Sequence, residues 1–350
     1  MSLEVCVLGS GSGGNSTVIR CRGVSEVLLL DAGFGPRATA KRLSATGVSL
    51  EQIRAICLTH LDSDHFNTNW VATVIKLSIR IHCHADAVSS LLHQVARQCG
   101  PKAEGFDRLI TPFATATDFE PLPGLRLHPI HLHHDETGSH GFVISAGHDA
   151  ARLGYATDLG QVPAQLIEKF AGVDLLMLES NYDPAMEENS DRPYYLKARI
   201  MGGSGHLSND QAFAAVRAIL DRTEKHHGPQ NLPRHIVLLH RSRQCNCPIL
   251  LRKLFQRDAR IKPVLTLAEQ STPTAWLRLQ SGPACSGAQL SLELHGGRIS
   301  SVSTALTLES RDGSAKYGEG LLLCDHAHAL RQEHHAPPDR QQRRRHGDDQ

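Results

Sequence analysis

The sequence predicts a layered domain of mixed α/β (α+β) type, and two features of its patterning carry that prediction. Short apolar runs recur as far as about residue 276, each bounded by turn residues, which is how buried strands read. Between them lie stretches with helical spacing and recognisable start signals. Elements interleaved in this way bury their apolar faces by stacking sheets and helices in layers.

Taken in order, Leu3–Leu8 is the first strand. Gly9, Gly11 and Gly14 follow, and with Asp31 they match a dinucleotide-binding fingerprint on spacing. That fingerprint needs a helix directly after the glycines. Here Ser16-Thr17-Val18-Ile19-Arg20 is β-branched and strand-like, so the glycines are a tight turn whose backbone passes near an active-site edge. Val27–Leu30, Ala55–Leu58, Leu125–Ile130, Phe142–Ser145, Arg152–Ala156, Leu175–Leu178 and Ile236–Leu239 are further strands. Helical spacing marks Pro36–Leu43, Ala164–Phe170 and Asp210–Leu220. The last is opened by Ser208 with Gln211 three residues on, a capping box. Cys247–Phe255 makes a fourth helix, with Pro248 in its first turn.

These elements give a domain over residues 1–276. Residues 277–350 form a C-terminal extension with weak strands at Leu290–Leu294 and Ile299–Leu306. Its end, with His334-His335, Pro337-Pro338 and Arg343-Arg344-Arg345, has the composition of a disordered tail.

Bulk properties exclude little. Lys plus Arg is 37 against 36 for Asp plus Glu, so net charge shows no global nucleic-acid footprint, although a local basic groove stays open. No apolar run reaches the roughly 18 residues of a membrane span, and no membrane partner is expected. The start, Met1-Ser2-Leu3-Glu4-Val5, lacks the basic and apolar blocks of a signal peptide. The nine cysteines are odd in number and scattered, as expected of free thiols in a cytoplasmic protein.

The chemistry concentrates where strands end. Directly after Ala55-Ile56-Cys57-Leu58-Thr59 come His60, Asp62, Asp64 and His65, four donor side chains within six residues. Divalent metals take nitrogen and carboxylate donors at about 2.0–2.2 Å, and so short a turn can serve both halves of a paired site. One ion could take His60 and Asp62, the other Asp64 and His65, with the remaining donors supplied from elsewhere. His131, His133 and His134 follow the strand Leu125–Ile130, Asp158 follows Arg152–Ala156, and His240 follows Ile236–Leu239. Singly, a histidine or aspartate at a strand end is more often a cap or a surface group. Together with the dense first cluster they become candidate ligands, on loops held by a rigid scaffold.

The run His60-x-Asp62-x-Asp64-His65 resembles the His-x-His-x-Asp-His signature of metallo-β-lactamase-fold hydrolases, and His134, Asp158 and His240 follow in similar order. Leu8-Gly9-Ser10-Gly11-Ser12-Gly13-Gly14-Asn15-Ser16, Leu30-Asp31-Ala32-Gly33, His134-Asp135, Glu179-Ser180-Asn181 and Gly205-His206-Leu207-Ser208-Asn209 narrow the resemblance to the bacterial YycJ/WalJ type. It covers residues 1 to about 265. It implies a four-layer αββα sandwich with metals at one edge between the sheets, and phosphodiesterase action, typically as a 5′-to-3′ exonuclease on DNA. By position, it implies His60, Asp62 and His134 on a first metal, Asp64, His65 and His240 on a second, and Asp158 bridging both. The sequence departs from the pattern at Asp62, where the family usually has histidine. A third carboxylate hardens the site toward Mn²⁺ or Fe²⁺, and Zn²⁺ still fits.

Around such a centre, Asp64 and Asp158 are candidates for passing a proton to product. His206, two positions before the N-cap Ser208, would sit beside a helix N-terminus that favours an anion. It could touch phosphate, donate a proton to the leaving oxygen, or orient another ligand. Ser208, Asn209 and Asn181 are candidate substrate contacts. So are Tyr194 and Lys197, within a basic and aromatic segment that also holds Arg192, Tyr195 and Arg199. Two rivals stand beside the DNA phosphodiesterase: a small-molecule hydrolase for a lactone, thioester or cyclic phosphodiester, and a non-catalytic binding protein with a degenerate metal site.

Overall fold

Every residue of the first strand, β1 (Leu3–Gly9), is buried, because its two faces serve two different cores. Leu3, Val5 and Val7 point to one core, Cys6 and Leu8 to another, the period of two that a strand imposes. The same division recurs across the computed structural model, which describes residues 2–147 and 151–279.

The first sheet continues with β2 (Ser16–Cys21), β3 (Val27–Leu30), β4 (Ile53–Cys57), β5 (Arg80–His84) and β6 (Ile110–Phe113). The second comprises β7 (Phe119–Leu122), β8 (Leu125–Leu132), β9 (Ser139–Ala146), β10 (Arg152–Ala156), β11 (Leu175–Glu179), β12 (His235–Leu239) and β13 (Leu265–Leu267). A last strand, β14 (Leu277–Leu279), returns to pair with β1, so the sheets run β14-β1-β2-β3-β4-β5-β6 and β13-β12-β11-β10-β9-β8-β7. The first sheet therefore includes residues just past the expected boundary at 276. The expected strands at Leu290–Leu294 and Ile299–Leu306, and the tail after them, lie outside the described residues.

Each sheet is antiparallel at one end and parallel at the other. β1, β2 and β3 pair antiparallel, whereas β3 to β6 are parallel; β7 to β10 alternate, whereas β10 to β13 are parallel. Parallel neighbours need crossovers, and the helices supply them. α1 (Pro36–Ser44), α2 (Val71–Leu77) and α3 (Val88–Cys99) connect the parallel strands of the first sheet. In the second, α4 (Ala164–Phe170) joins β10 to β11. α5 (Pro184–Glu188), α6 (Tyr194–Met201) and α7 (Asn209–His227) lie between β11 and β12, and α8 (Pro248–Phe255) leads from β12 toward β13.

Three cores glue these layers. Between the sheets, Leu3, Val5, Ile19 and Leu30 face Phe142, Leu153, Met177 and Val237. Outside the first sheet, Leu8, Val18 and Ile56 pack with Leu43 of α1, Val74 of α2 and Leu91 of α3. Outside the second, Leu176, Leu178 and Leu238 pack with Phe170 of α4, Val216 of α7 and Phe255 of α8. At about 1.5–3 kcal/mol for each large apolar side chain fully buried, these cores dominate the stabilisation. The order is helix, sheet, sheet, helix: the four-layer αββα sandwich.

One consequence of the strand directions matters for function. β8 and β10 both pair antiparallel with β9 and so run the same way, as do the parallel strands β10, β11 and β12. Their carboxyl ends, where His134, Asp158, Glu179 and His240 follow or finish the strand, share one edge. In open α/β sheets that edge is where ligands bind.

Candidate metal centre

Four loops converge at this edge, and the turn after β4 supplies the most. Its backbone is pinned by the first sheet: Asn15 N donates to Asp64 O at 2.7 Å, and Ala32 N donates to His65 O at 2.7 Å. Gly33 permits that approach, since a Cβ there would stand 1.8 Å from Asp64 O. The turn after β1 holds a second loop, with His240 N donating to Ser10 Oγ at 2.8 Å. Gln270 clamps this glycine turn, accepting from Gly13 N at 2.7 Å and donating to Gly14 O at 2.8 Å. The glycines thus form a turn between two strands beside the site, as their β-branched sequel required.

Asp158 and His240 leave their strands in the left-handed backbone region, at φ 52° and 47°, as does Asp31 at φ 59°. Few residues other than glycine adopt it, though Asp and His do so more readily than most. The conformation turns each side chain back over the sheet edge.

The side chains then meet. Asp158 stands at the middle: Oδ2 lies 2.9 Å from His65 Nε2, while Oδ1 lies 2.9 Å from His240 Nδ1 and 3.9 Å from His134 Nε2. Donor atoms of His60, His134 and Asp158 fall within 4.8 Å of one another, and so do those of Asp64, His65 and His240. Asp158, Glu179, His206 and His240 form a third such group, and Asp62, His134 and Asp135 a fourth. Six of the seven residues expected as ligands are thus brought together in two groups of three. Asp62 is the one set apart: its half-exposed side chain sits at the rim, 3.8 Å from His60 Nε2, and groups with His134 and Asp135.

The residues fit divalent cations on grounds of their own bonding. His60 Nε2 and His240 Nε2 are buried without a hydrogen-bond partner among the described residues. The carboxylates of Asp62 and Asp64, 3.8 and 3.4 Å away, do not satisfy them. Leaving a buried polar atom unmatched costs about 1–3 kcal/mol, and two so placed among imidazoles and carboxylates are lone pairs suited to a metal.

Behind the donors sit two buried carboxylates that sequence reasoning quoted only within motifs. Asp31, at the end of β3, contacts His65 Nδ1 at 2.8 Å and accepts from Thr59 N at 2.8 Å. Glu179, the last residue of β11, contacts His206 Nδ1 at 2.7 Å and His240 Nδ1 at 3.1 Å through Oε1, and accepts from Leu159 N at 3.0 Å through Oε2. Both carry the signal that identified Asp158: an acid where an apolar strand ends. Such partners fix which imidazole nitrogen is left for a metal or substrate.

Electrostatics follow from this crowding. Burial would raise the Asp158 carboxyl, but His240 and His65 hold it well below the usual carboxylate range. Burial likewise opposes charge on His65 and His240, yet Asp158, with Asp31 and Glu179 beside them, pushes both well above the usual imidazole value. His60 goes the other way, driven well down by burial and by its neighbour His65. Burial raises Asp62.

A cavity of about 480 Å³ opens over the cluster, with Asp64, His206 and His240 on one side and Arg192 and Arg199 on another. Arg192 is tied to the buried Glu187 at 2.8 Å, and Arg199 pairs with Asp135 through Nε and Nη2. Of the substrate contacts expected from sequence, Asn181 lines this cavity and donates to His240 O at 2.7 Å. Ser208 and Asn209 do not line it. Ser208 caps α7, and Asn209 accepts from Ser180 Oγ at 2.8 Å. Tyr194 is 86% exposed on α6 and Lys197 donates to Glu188 O at 2.8 Å, so neither reaches the cavity.

Comparison with known proteins agrees with this architecture. The model of the beta-lactamase superfamily domain matches residues 27–225. Exodeoxyribonuclease YycJ of Bacillus anthracis is 26% identical over 227 residues, covering 65% of this chain and 81% of that protein. Exodeoxyribonuclease WalJ of Streptococcus pneumoniae is 24% identical over 226 residues, covering 64% and 80%. Among solved structures, the metallo-beta-lactamase fold protein YhfI from Bacillus subtilis superposes with a TM-score of 0.55 at 15% identity, covering 78% of this chain and 98% of that one. With a matching domain model, a shared sandwich and a His/Asp cluster at its sheet edge, the chain belongs to the beta-lactamase superfamily, as a hydrolase of the metallo-β-lactamase fold.

Proposed function

We propose that the protein is a phosphodiesterase that degrades DNA from its 5′ end, using two divalent ions, Mn²⁺ or Zn²⁺ with Fe²⁺ as an alternative. The observation that carries the two-ion reading is Asp158, whose carboxylate reaches donors of both ligand sets, with an unmatched imidazole nitrogen on either side at His60 and His240. The names of the relatives from Bacillus anthracis and Streptococcus pneumoniae support DNA as substrate.

Two such ions, when bound, supply Lewis acidity and lower the pKa of a water. His60, His134 and Asp158 would hold one, and Asp64, His65 and His240 the other, with Asp158 shared. The grouping of His60, His134 and Asp158 without Asp62 leaves three donors on the first ion despite the departure at that position. This favours a working centre over a degenerate one.

The remaining chemistry belongs to the chain. Arg192 and Arg199 line the cavity, each in an ion pair, with Glu187 and Asp135, that an incoming phosphate would share. His206, with Nδ1 held by Glu179 at 2.7 Å and its pKa raised by that carboxylate against its burial, can as the imidazolium donate its Nε2 proton to the leaving oxygen. Asp64 and Asp158 are weak bases while they ligate, so His206 takes the proton-transfer role first. The names of the exodeoxyribonuclease relatives favour a phosphodiester over a lactone or thioester.

The test is digestion of 5′-phosphorylated duplex DNA by the full chain with Mn²⁺ or Zn²⁺. Asp158→Ala is expected to abolish it. Degradation that persists in this variant overturns the assignment.

A further inference from the structure

We propose that a second cavity, on the other side of Asp62 from the metal cluster, receives the base of the nucleotide whose phosphate lies at the cluster. The proposal rests on the phosphodiesterase reading and adds a subsite to it. This cavity measures about 440 Å³, within the roughly 300–1,000 Å³ of small-molecule pockets. His60 and Asp62 form the wall toward the metals, and Asp62 lines both cavities. A group entering here is therefore next to a group bound there.

The two cavities differ in their charged lining. The first has Arg192 and Arg199 beside Asp62, Asp64, Asp135 and Asp158; the second has Asp62 and Asp86 and neither Lys nor Arg among its described lining residues. A phosphate has no Lys or Arg to meet in it. Its floor is apolar, from Leu58, Cys83 and Ala87, and the buried Cys83 thiol is pushed up to about 12 and stays neutral. Imidazoles of His84 and His140 stack at 4.5 Å with 17° between planes, both within 3.2 Å of Thr115 Oγ1, and burial brings His140 down to about 4. Flat aromatic surfaces of this kind suit a heteroaromatic ring.

The rim then selects an edge. Gln94 and Ser90 of α3 offer donors and acceptors, and an amide matches the N6/N7 edge of adenine. Asp62 and Asp86 offer acceptors only, which suits exocyclic amino groups. A base with an amino group fits better than thymine.

Calorimetric titration of the full chain in manganese-containing buffer tests this, comparing deoxyadenosine 5′-monophosphate with 2-deoxyribose 5-phosphate, which lacks the base. The nucleotide is expected to bind at least tenfold more tightly, with thymidine 5′-monophosphate between the two. Gln94→Leu and Ala87→Phe, both on partly exposed positions, are expected to erase the gap while leaving the sugar phosphate unchanged. Equal affinities, no detectable binding of either compound, or a gap that survives both substitutions overturns the proposal. Turnover of bis(4-nitrophenyl) phosphate, which has no nucleobase, is measured in parallel. Its absence counts against the phosphodiesterase reading alone, whereas turnover without an affinity gap counts against the base cavity alone.

Discussion

Glu179 illustrates how much depends on one buried side chain. Oε1 faces two imidazole nitrogens, of His206 and His240, and Oε2 faces the amides of Leu159 and Leu207. The two amides can only donate, and each imidazole Nδ1 donates in the tautomer that leaves Nε2 free for a metal. An amide in place of the carboxylate puts its NH₂ either against the backbone N–H groups or against the Nδ1 atoms, where it favours the tautomer protonated at Nε2, so Glu179→Gln disturbs one side or the other. Substitution of groups that orient metal-site histidines typically costs 10–100-fold in affinity or activity. We expect kcat on a phosphodiester to fall about 10–100-fold in Glu179→Gln, with a changed pH profile and an unchanged far-ultraviolet spectrum. A kcat within twofold of the parent removes Glu179 from any positioning role.

Among the elements, α7 shows both what the sequence made legible and where it stopped. Ser208 and Gln211 form the expected capping box, with Gln211 N donating to Ser208 Oγ at 3.2 Å. Ser208→Ala is expected to cost about 1 kcal/mol of stability, read as a lower urea midpoint at unchanged slope. No shift in midpoint means the helix start is held by its neighbours instead. The helix itself runs on to His227, past the expected end near Leu220, because Thr223 remains buried and bonds Ile219 O before Gly228 stops the chain. Strands buried on both faces were readable because nearly every position is apolar, and ligands were readable because they end those strands. β5 was not: its Arg80-Ile81-His82-Cys83-His84 alternates with polar residues, yet His82 is buried against Phe119. β6 carries Pro112, and β13 and β14 have three residues each, too short for a pattern. α3 buries fully only Leu91 and Val95, a narrow stripe that spacing alone did not reveal. In the site, Asp31 and Glu179 escaped assignment because they bind other side chains, and no spacing rule connects them to those partners.

Across the whole molecule, buried histidines outside the metal centre set an acid limit. His82 and His140 are each brought from 6.5 to about 4, chiefly by burial. Folded, they release protons that the unfolded chain binds between pH 6.5 and about 4. The unfolded state then holds more protons, so stability falls as pH drops through that window and is flat above it for these two groups. Each contributes of order 3 kcal/mol by the low end. Urea midpoints measured from pH 7 to pH 4.5 should decline, and His82→Phe should make the decline shallower. An unaltered slope in that variant removes His82 from the account. Among the described residues no helix is long and apolar enough to cross a membrane.

The return of β14 to β1 sets the order in which the molecule can be made. Leu3 pairs with Leu279, and Gln270 clamps the glycine turn whose Ser10 holds His240. A ribosome must therefore deliver almost the whole domain before the first strand gains its outer neighbour. Until then β1 presents an unpaired edge and an apolar face, and contacts this distant along the chain form slowly. The nascent chain therefore carries that open edge until residue 279 is in place.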